Sequence, residues 1–262
     1  MARIIVLVKD LPDNKELKIN PMTKRLVTNA PKRKLNDLDK RALEAALRLK
    51  EKNGGEVFTL SIGDEATKTS ILEALAMGAD AAFIVSYPLF RDLDSRAVSL
   101  ILATALRKIG DYNLILAGEL SLDDMSGQVG PRVAVQLDVS LVSYAKELLL
   151  SDGILRATRN LEDCDEIIEA DLPALATTVR EIADPRIPSL MNILKAKKKP
   201  INMLDVGALG VAADALIHGQ VDTLEEKLPD VNRKKIIIRG ESLNEVVEKL
   251  VTALINDEVV GA

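Results

Sequence analysis

The sequence predicts an α/β protein: an open parallel sheet with helices on both faces, then a β-meander and an extended C-terminal arm. Three observations predict it. Short runs rich in β-branched residues alternate with helical stretches of about 10–15 residues, the βαβ pattern that makes neighbouring strands parallel. The strand runs are apolar throughout instead of alternating with polar residues, as expected where both faces are covered. The composition, 47% apolar and 29% charged over 262 residues, is globular and long enough for a large core.

Residues 3–9 (RIIVLVK) open the chain as a buried strand. Residues 38–52 place Leu38, Ala42, Ala45, Ala46 and Leu49 on one helical face and stop at Asn53-Gly54-Gly55, a C-terminal signal. Residues 56–62 form the next strand and 67–77 a helix closed by Gly78. A strand over 82–86, a helix over 95–109 and a strand over 112–117 continue the alternation, and a helix over 128–137 follows a polar loop. The crossovers are expected to be right-handed. After Leu137 the rhythm changes. Runs at 139–150, 153–160 and 165–170 around Ser151-Asp152-Gly153 suggest the meander, and 174–179 reads as one more buried strand. Residues 186–194 read as a Pro-containing loop, 201–231 as an extended arm, and 236–239 with 243–255 as a final strand and amphipathic helix capped by Ser242.

Several chemistries are disfavoured at once. A net charge of −5 argues against binding nucleic acid through phosphate contacts. Cys164 and His218 are the only residues of their types, so a disulfide, a thiolate cluster or a Ser–His pair is hard to build. Acidic residues flank Cys164 and disfavour its thiolate. No apolar run reaches the roughly 18 residues of a membrane span, and the chain is expected to be cytoplasmic. A protein so poor in reactive side chains is expected to borrow its chemistry from a cofactor.

In an open parallel sheet, ligands bind beyond the carboxyl ends of the strands. Four loops qualify: 9–14, 36–39, 61–65 and 118–131. The last reads Gly-Glu-Leu-Ser-Leu-Asp-Asp-Met-Ser-Gly-Gln-Val-Gly-Pro and runs into a helix. Gly118 allows a tight exit from the strand, and Gly127 and Gly130 allow close approach of a ligand to backbone. Free N–H groups at the helix start favour an anion such as a phosphate. Ser126 offers a hydroxyl and Gln128 an amide. The alternative is an ordinary loop in which Ser126 caps the helix. The chain lacks both the dinucleotide fingerprint and the P-loop.

Segments in a fixed order carry a resemblance: VLVKDLPDN (6–14), LNDLDKRALEAALRLKEK (35–52), ILEALAMGAD (71–80), LILAG (114–118), SLDDMSGQVGP (121–131), LPALATTVRE (172–181) and PSLMNILKAKKKPI (188–201). Together they resemble the electron transfer flavoprotein β-subunit family over residues 1 to about 205. The resemblance implies a flavodoxin-like adenine-nucleotide-binding domain over 1–200. Residues 201–262 would then be a C-terminal arm packing on a larger α subunit that carries the electron-transferring FAD. By position, nucleotide contacts fall on Leu7, Val8, Lys9 and Pro12, on Asn36, Asp37, Leu38 and Asp39, and on Ile62 and Gly63. They continue along Gly118, Ser121, Leu122, Asp123, Asp124, Ser126, Gly127, Gln128, Val129 and Gly130.

The nucleotide is AMP in one branch of the family. In the bifurcating branch it is a second FAD that accepts hydride from NADH. Lys9-Asp10-Leu11-Pro12-Asp13-Asn14 resembles the bifurcating pattern, which favours FAD. Asp37 and Met125 depart from the family's pattern in two contact loops. Residues 185–199 resemble the loop that docks partner dehydrogenases or a quinone reductase, with Leu190 as the inserted side chain beside a basic run. The remaining alternative is an ATP- or AMP-sensing α/β regulatory module.

Overall fold

The computed structural model describes residues 2–13, 32–87, 90, 93–212, 216 and 234–259. His218 and Asn14 lie outside the described residues. The chain divides into two compact units, 1–225 and 226–262.

In the first unit, β1 (Ala2–Leu7) lies inside a nine-stranded sheet. It pairs in parallel with β4 (Gly55–Gly63) on one side and with β6 (Leu114–Gly118) on the other. The sheet runs on from β4 to β5 (Ala81–Ser86) and then β11 (Ile201–Asp205). On the other side of β6 come β10 (Ala174–Thr178), β7 (Ser140–Ser151), β8 (Ile154–Asn160) and β9 (Asp165–Asp171). All pairs are parallel except β7–β8 and β8–β9.

The pleat of β1 explains the two-sided core. Ile4 and Val6 face α1 (Asp37–Asn53) and α2 (Thr67–Met77) within one buried cluster that includes Leu43, Ala46, Ile71 and Leu75. Ile5 and Leu7 belong to a second cluster with Ile101 and Leu106 of α3 (Ser95–Ile109) and Val133 of α4 (Val129–Leu137). Buried on both sides, β1 has no polar alternation because no face meets water.

The expected meander forms as antiparallel β7–β8–β9, and β7 joins it to the main sheet beside β10. The structure differs from the sequence reading at four places. Residues 201–205, read as the start of the arm, form β11 and pair with β5 in register Ile201↔Ala82. Within the loop read over 186–194, α5 (Leu190–Ala196) forms, its Ser189 Oγ accepting from the Asn192 N–H at 3.2 Å. Two short strands, β2 (Asp10–Pro12) and β3 (Arg33–Leu35), pair antiparallel and were not foreseen. Residues 236–239 of the second unit are not a strand, and Ile236 and Ile237 stand exposed. A strand needs a neighbouring ladder, and β-branched composition alone does not supply one. In the same unit α6 (Leu243–Asn256) is capped by Ser242, whose Oγ accepts from the Glu245 N–H at 3.3 Å. No helix among the described residues is long and apolar enough to cross a membrane.

Candidate functional site

After β1 the chain moves one way, to β4 and then β5. It then returns to place β6 against the free side of β1. The order therefore reverses between β1 and β6, and the crevice beyond their carboxyl ends is the expected ligand position. The β1–β6 ladder ends at Val6↔Leu116. Beyond it the loops after the two strands are held together by side chains from the start of α1.

Asn36 occupies the cap position of α1 yet makes no side-chain cap bond. Its amide is spent elsewhere: Nδ2 donates to Leu120 O at 2.9 Å, and Oδ1 accepts from the Leu122 N–H at 3.3 Å. Its own N–H donates to Lys9 O at 2.9 Å. Asp39 accepts from the Lys9 N–H at 2.8 Å and from the Gly118 N–H at 3.1 Å. Burial pushes its carboxyl up to about 7, against the opposing pull of those two amides, of Asn36 and of the Lys9 charge. The side chain of Lys9 crosses to the other loop, where Nζ meets Ser121 Oγ at 3.2 Å and Asp123 Oδ1 at 2.8 Å. Burial disfavours the Asp123 carboxylate, but the Lys9 ammonium outweighs it and holds the pKa below the ordinary value. Asp124 accepts from Ser121 Oγ at 2.9 Å and from the Ser126 N–H at 3.0 Å. The acidic pair that would repel a phosphate is thus turned onto Lys9 and onto the loop's own donors.

The loop then enters α4. Its cap residue Gln128 makes no side-chain cap bond. Gln128 Oε1 is occupied by Arg132 Nε at 2.8 Å and Nη2 at 2.6 Å. Ser126 does not cap the helix either, so among the described residues the N–H groups of Val129 and Gly130 have no side-chain acceptor; residue 131 is proline, and the Arg132 N–H donates to Gln128 O at 3.0 Å. Gly127 sits at φ +63°, and a Cβ on Gly130 would lie 2.6 Å from Thr177 Cγ2, so glycine lets α4 close on β10. Met125 holds φ +52° with its side chain 63% exposed, an uncommon backbone for a non-glycine residue.

Leu7, Val8, Leu38 and Gly63 are buried, and Ile62 is half-buried. They provide the apolar side of the strand ends. Pro12 lies in β2. The structure brings the 9–12, 36–39 and 118–130 segments together directly. Ile62 and Gly63 join them through β4, the other neighbour of β1.

Sequence reasoning missed the support beneath β2. Asp10 is buried and accepts from Arg33 Nε at 2.6 Å, Ser70 Oγ at 2.7 Å and Thr67 Oγ1 at 3.3 Å.

The second candidate region is the segment after β10. Arg41 of α1 donates to Arg180 O and Ala183 O, both at 2.8 Å, and to Asp184 at 2.9 Å. Buried Glu44 accepts from Arg186 Nε at 2.7 Å. These contacts hold the stem of a segment whose Ile187, Leu190, Met191 and Leu194 are all exposed, Leu190 at 75%. The basic run is not uniformly solvated. Lys199 Nζ turns back to Leu75 O at 2.9 Å and Ala79 O at 2.6 Å, at the carboxyl end of α2.

The electron transfer flavoprotein domain model matches residues 23–209 of this chain. The chain belongs to the electron transfer flavoprotein family, as a β subunit. It is 35% identical to the electron transfer flavoprotein subunit beta of Thermoanaerobacterium thermosaccharolyticum, over 98% of this chain and 99% of that protein. It is 34% identical to the caffeyl-CoA reductase–Etf complex subunit CarD of Acetobacterium woodii, over 96% and 97% respectively. The Bacillus subtilis electron transfer flavoprotein subunit beta shares 32% identity over 94% and 95%. Membership makes this chain part of an electron-transferring flavoprotein, and a β subunit implies an α subunit as its partner. The α1 and β6 sides of the crevice and the α4 start fall within the matched domain, and β1 and Lys9 precede it.

Proposed function

We propose that this chain is the β subunit of a heterodimeric electron transfer flavoprotein and holds an adenine cofactor in the β1–β6 crevice, FAD in preference to AMP. The single observation that carries the reading is the uncapped start of α4 at the switch point, with neighbouring Asp123 paired to Lys9 and Asp124 turned onto donors of its own loop. The residues fit such a group. Ser121, Ser126, Gly127, Val129 and Gly130 would face its phosphates, and Leu7, Val8 and Ile62 would provide apolar cover for its adenine. The flavin, when bound, supplies the redox chemistry and takes hydride from NADH. The protein's part is to bind, to orient and to exclude water, and the reading assigns no acid–base residue.

FAD is preferred because the Lys9–Asp13 stretch resembles the bifurcating pattern. A relative named as part of a caffeyl-CoA reductase–Etf complex adds support. Electrons would pass to the FAD of the α subunit and on to a partner dehydrogenase or quinone reductase, docked through residues 185–199. The exposed apolar side chains of α5 support that docking, with Leu190 the most exposed of them.

Counting cofactors in the purified heterodimer tests the site. Two FAD per heterodimer is the expected result, and NADH should then bleach the flavin. One FAD with one AMP would make this a carrier with a structural nucleotide. Absence of any adenine nucleotide on this subunit would overturn the reading. For the docking segment, Leu190→Ala should raise the KM for the partner enzyme about tenfold and leave cofactor content unchanged. An unaltered KM would refute the assignment.

A further inference from the structure

Both oxygens of the Asp39 carboxylate are bonded to the backbone. The residue is 7% exposed, and each oxygen already holds one backbone N–H: Lys9 on Oδ2, Gly118 on Oδ1. These amides lie at the carboxyl ends of β1 and β6, where the direct ladder has stopped after Val6 and Leu116. The carboxylate therefore replaces ladder bonds between two diverging strands. Gly118 is part of the same device. A Cβ there would lie 2.6 Å from Asp39 Oδ1 and 2.8 Å from Leu38 Cβ, so only glycine leaves room for the bond. One residue outside the helix, Asn36 continues the pattern on Leu120 and Leu122. The start of α1 thus grips the site loop at three alternate residues.

We infer that Asp39 is a positioning residue that fixes the separation of the β1 and β6 ends, and so aims the phosphate-facing backbone of residues 121–130, without touching the nucleotide. The inference rests on the adenine-site reading above and changes one part of it, since the family resemblance places Asp39 among the nucleotide contacts. Two features favour the brace. Each Asp39 oxygen is aimed at a backbone N–H, and at 7% exposure the side chain presents almost no surface to a ribose hydroxyl. Its burial, which drives the carboxyl upward, is what a load-carrying group beneath a site experiences and a solvent-facing ligand contact does not.

The test uses the heterodimer with its β-site nucleotide exchanged out, and titrates AMP, 2′-deoxy-AMP and adenosine by calorimetry. Two variants remove the brace by independent routes. Asp39→Asn turns one acceptor into a donor facing an N–H. Gly118→Ala pushes the carboxylate aside and leaves Asp39 itself in place. Both should weaken AMP about 10- to 100-fold, shift adenosine less than about threefold, and leave the ratio of AMP to 2′-deoxy-AMP unchanged. Far-UV circular dichroism and the flavin content of the α subunit report that each variant is folded.

A loss of discrimination between AMP and 2′-deoxy-AMP in Asp39→Asn alone would make Asp39 a direct ligand and overturn the inference. So would an equal loss for AMP and adenosine, the mark of a general structural effect, or parental affinity in both variants. If Asp39→Asn fails to assemble, Gly118→Ala carries the same comparison by itself. A parent heterodimer that binds none of the probes defeats the reading of the site, and the inference with it.

Discussion

Replacing Glu44 by glutamine tests how the exposed segment after β10 is held. Glu44 accepts from Arg186 Nε at 2.7 Å, Arg186 Nη2 at 3.1 Å, the Arg186 N–H at 3.2 Å and Arg48 Nε at 3.0 Å. Its side chain is only 4% exposed. Removing one partner of a fully buried ion pair costs about 3–5 kcal/mol. Here the loss is smaller, because Arg186 is 33% exposed and keeps Glu51 at 2.6 Å, and glutamine keeps one acceptor oxygen. The expected cost is about 2–3 kcal/mol, a fall in Tm of about 5–10 °C for a unit of this size. Burial disfavours the Glu44 carboxylate, but the Arg186 and Arg48 bonds outweigh it and hold its pKa below 4.5. A depressed folded-state value means that the contribution is fully present above the unfolded value and is lost as pH falls through the folded one. The Tm difference between parent and variant should therefore be constant from about pH 6 to 8 and shrink below about 4.5. Thermal unfolding followed by circular dichroism reads both effects, and hydrogen exchange should rise over residues 180–199. A shift under about 2 °C at pH 7, or one that persists unchanged at pH 3, would refute the reasoning.

Gly130→Ala should destabilise the α4–β10 contact by about 1–3 kcal/mol. Adding Thr177→Ser should restore most of that loss by removing the clashing Cγ2 and keeping the hydroxyl that accepts from the Tyr144 N–H; chemical denaturation of the single and double variants measures both. Lys199→Met should cost about 1–2 kcal/mol, because Nζ donates to two carbonyls at the end of α2; an effect within error would show those bonds to be worth no more than water. The Asp39 carboxyl, raised from 3.8 to about 7, binds its proton more tightly in the folded state. Its contribution is therefore largest below pH 3.8 and falls as pH rises to about 7. Stability of the parent relative to Asp39→Asn should decline across that window by up to about 4 kcal/mol, and a flat difference in urea titrations would contradict the shift.

The parallel sheet was legible because β1, β4 and β6 are apolar runs whose pattern admits no solvent face. The candidate loops followed from topology alone once those strands were ordered. What could not be read was local structure without a local cause. β2 and β3 are three residues each, with the 13–32 stretch between them, and neither shows a period. β11 (INMLD) is a half-polar edge strand whose stability comes from β5. α5 did have a legible signal in Ser189 ahead of Leu190, a cap that the neighbouring prolines obscured. Lys199 looked like part of a solvated basic run, because nothing in its sequence neighbourhood reveals the end of α2. The bracing by Asn36 and Asp39 was hidden for the same reason. Asp39 and Gly118 are 79 residues apart, and only their meeting explains both.

α1 serves both candidate regions with different turns. Asn36 and Asp39 at its start hold the loops of the β1–β6 crevice, and Arg41 and Glu44, up to two turns on, hold the stem of the exposed segment. Asn36 and Asp39 stand on the same stripe of α1 as Leu43, Ala46 and Leu47, which pack into the core, and Arg41 and Glu44 project away from that stripe. A helix fixed by its apolar stripe makes a rigid datum from which two loops can be aimed separately. That arrangement also explains why the sequence spends Asn36 on a distant loop when it stands at a cap position. The lost cap bond is worth about 1 kcal/mol, and the two bonds to Leu120 and Leu122 hold the loop on which the proposed cofactor site depends. If the two functions were mechanically coupled through α1, Glu44→Gln would disturb AMP binding as well as the stem. A rigid core-anchored helix requires instead that its effect stop at residues 180–199. Calorimetric titration of AMP into the Glu44→Gln heterodimer decides between the two, with an affinity within about twofold of the parent expected.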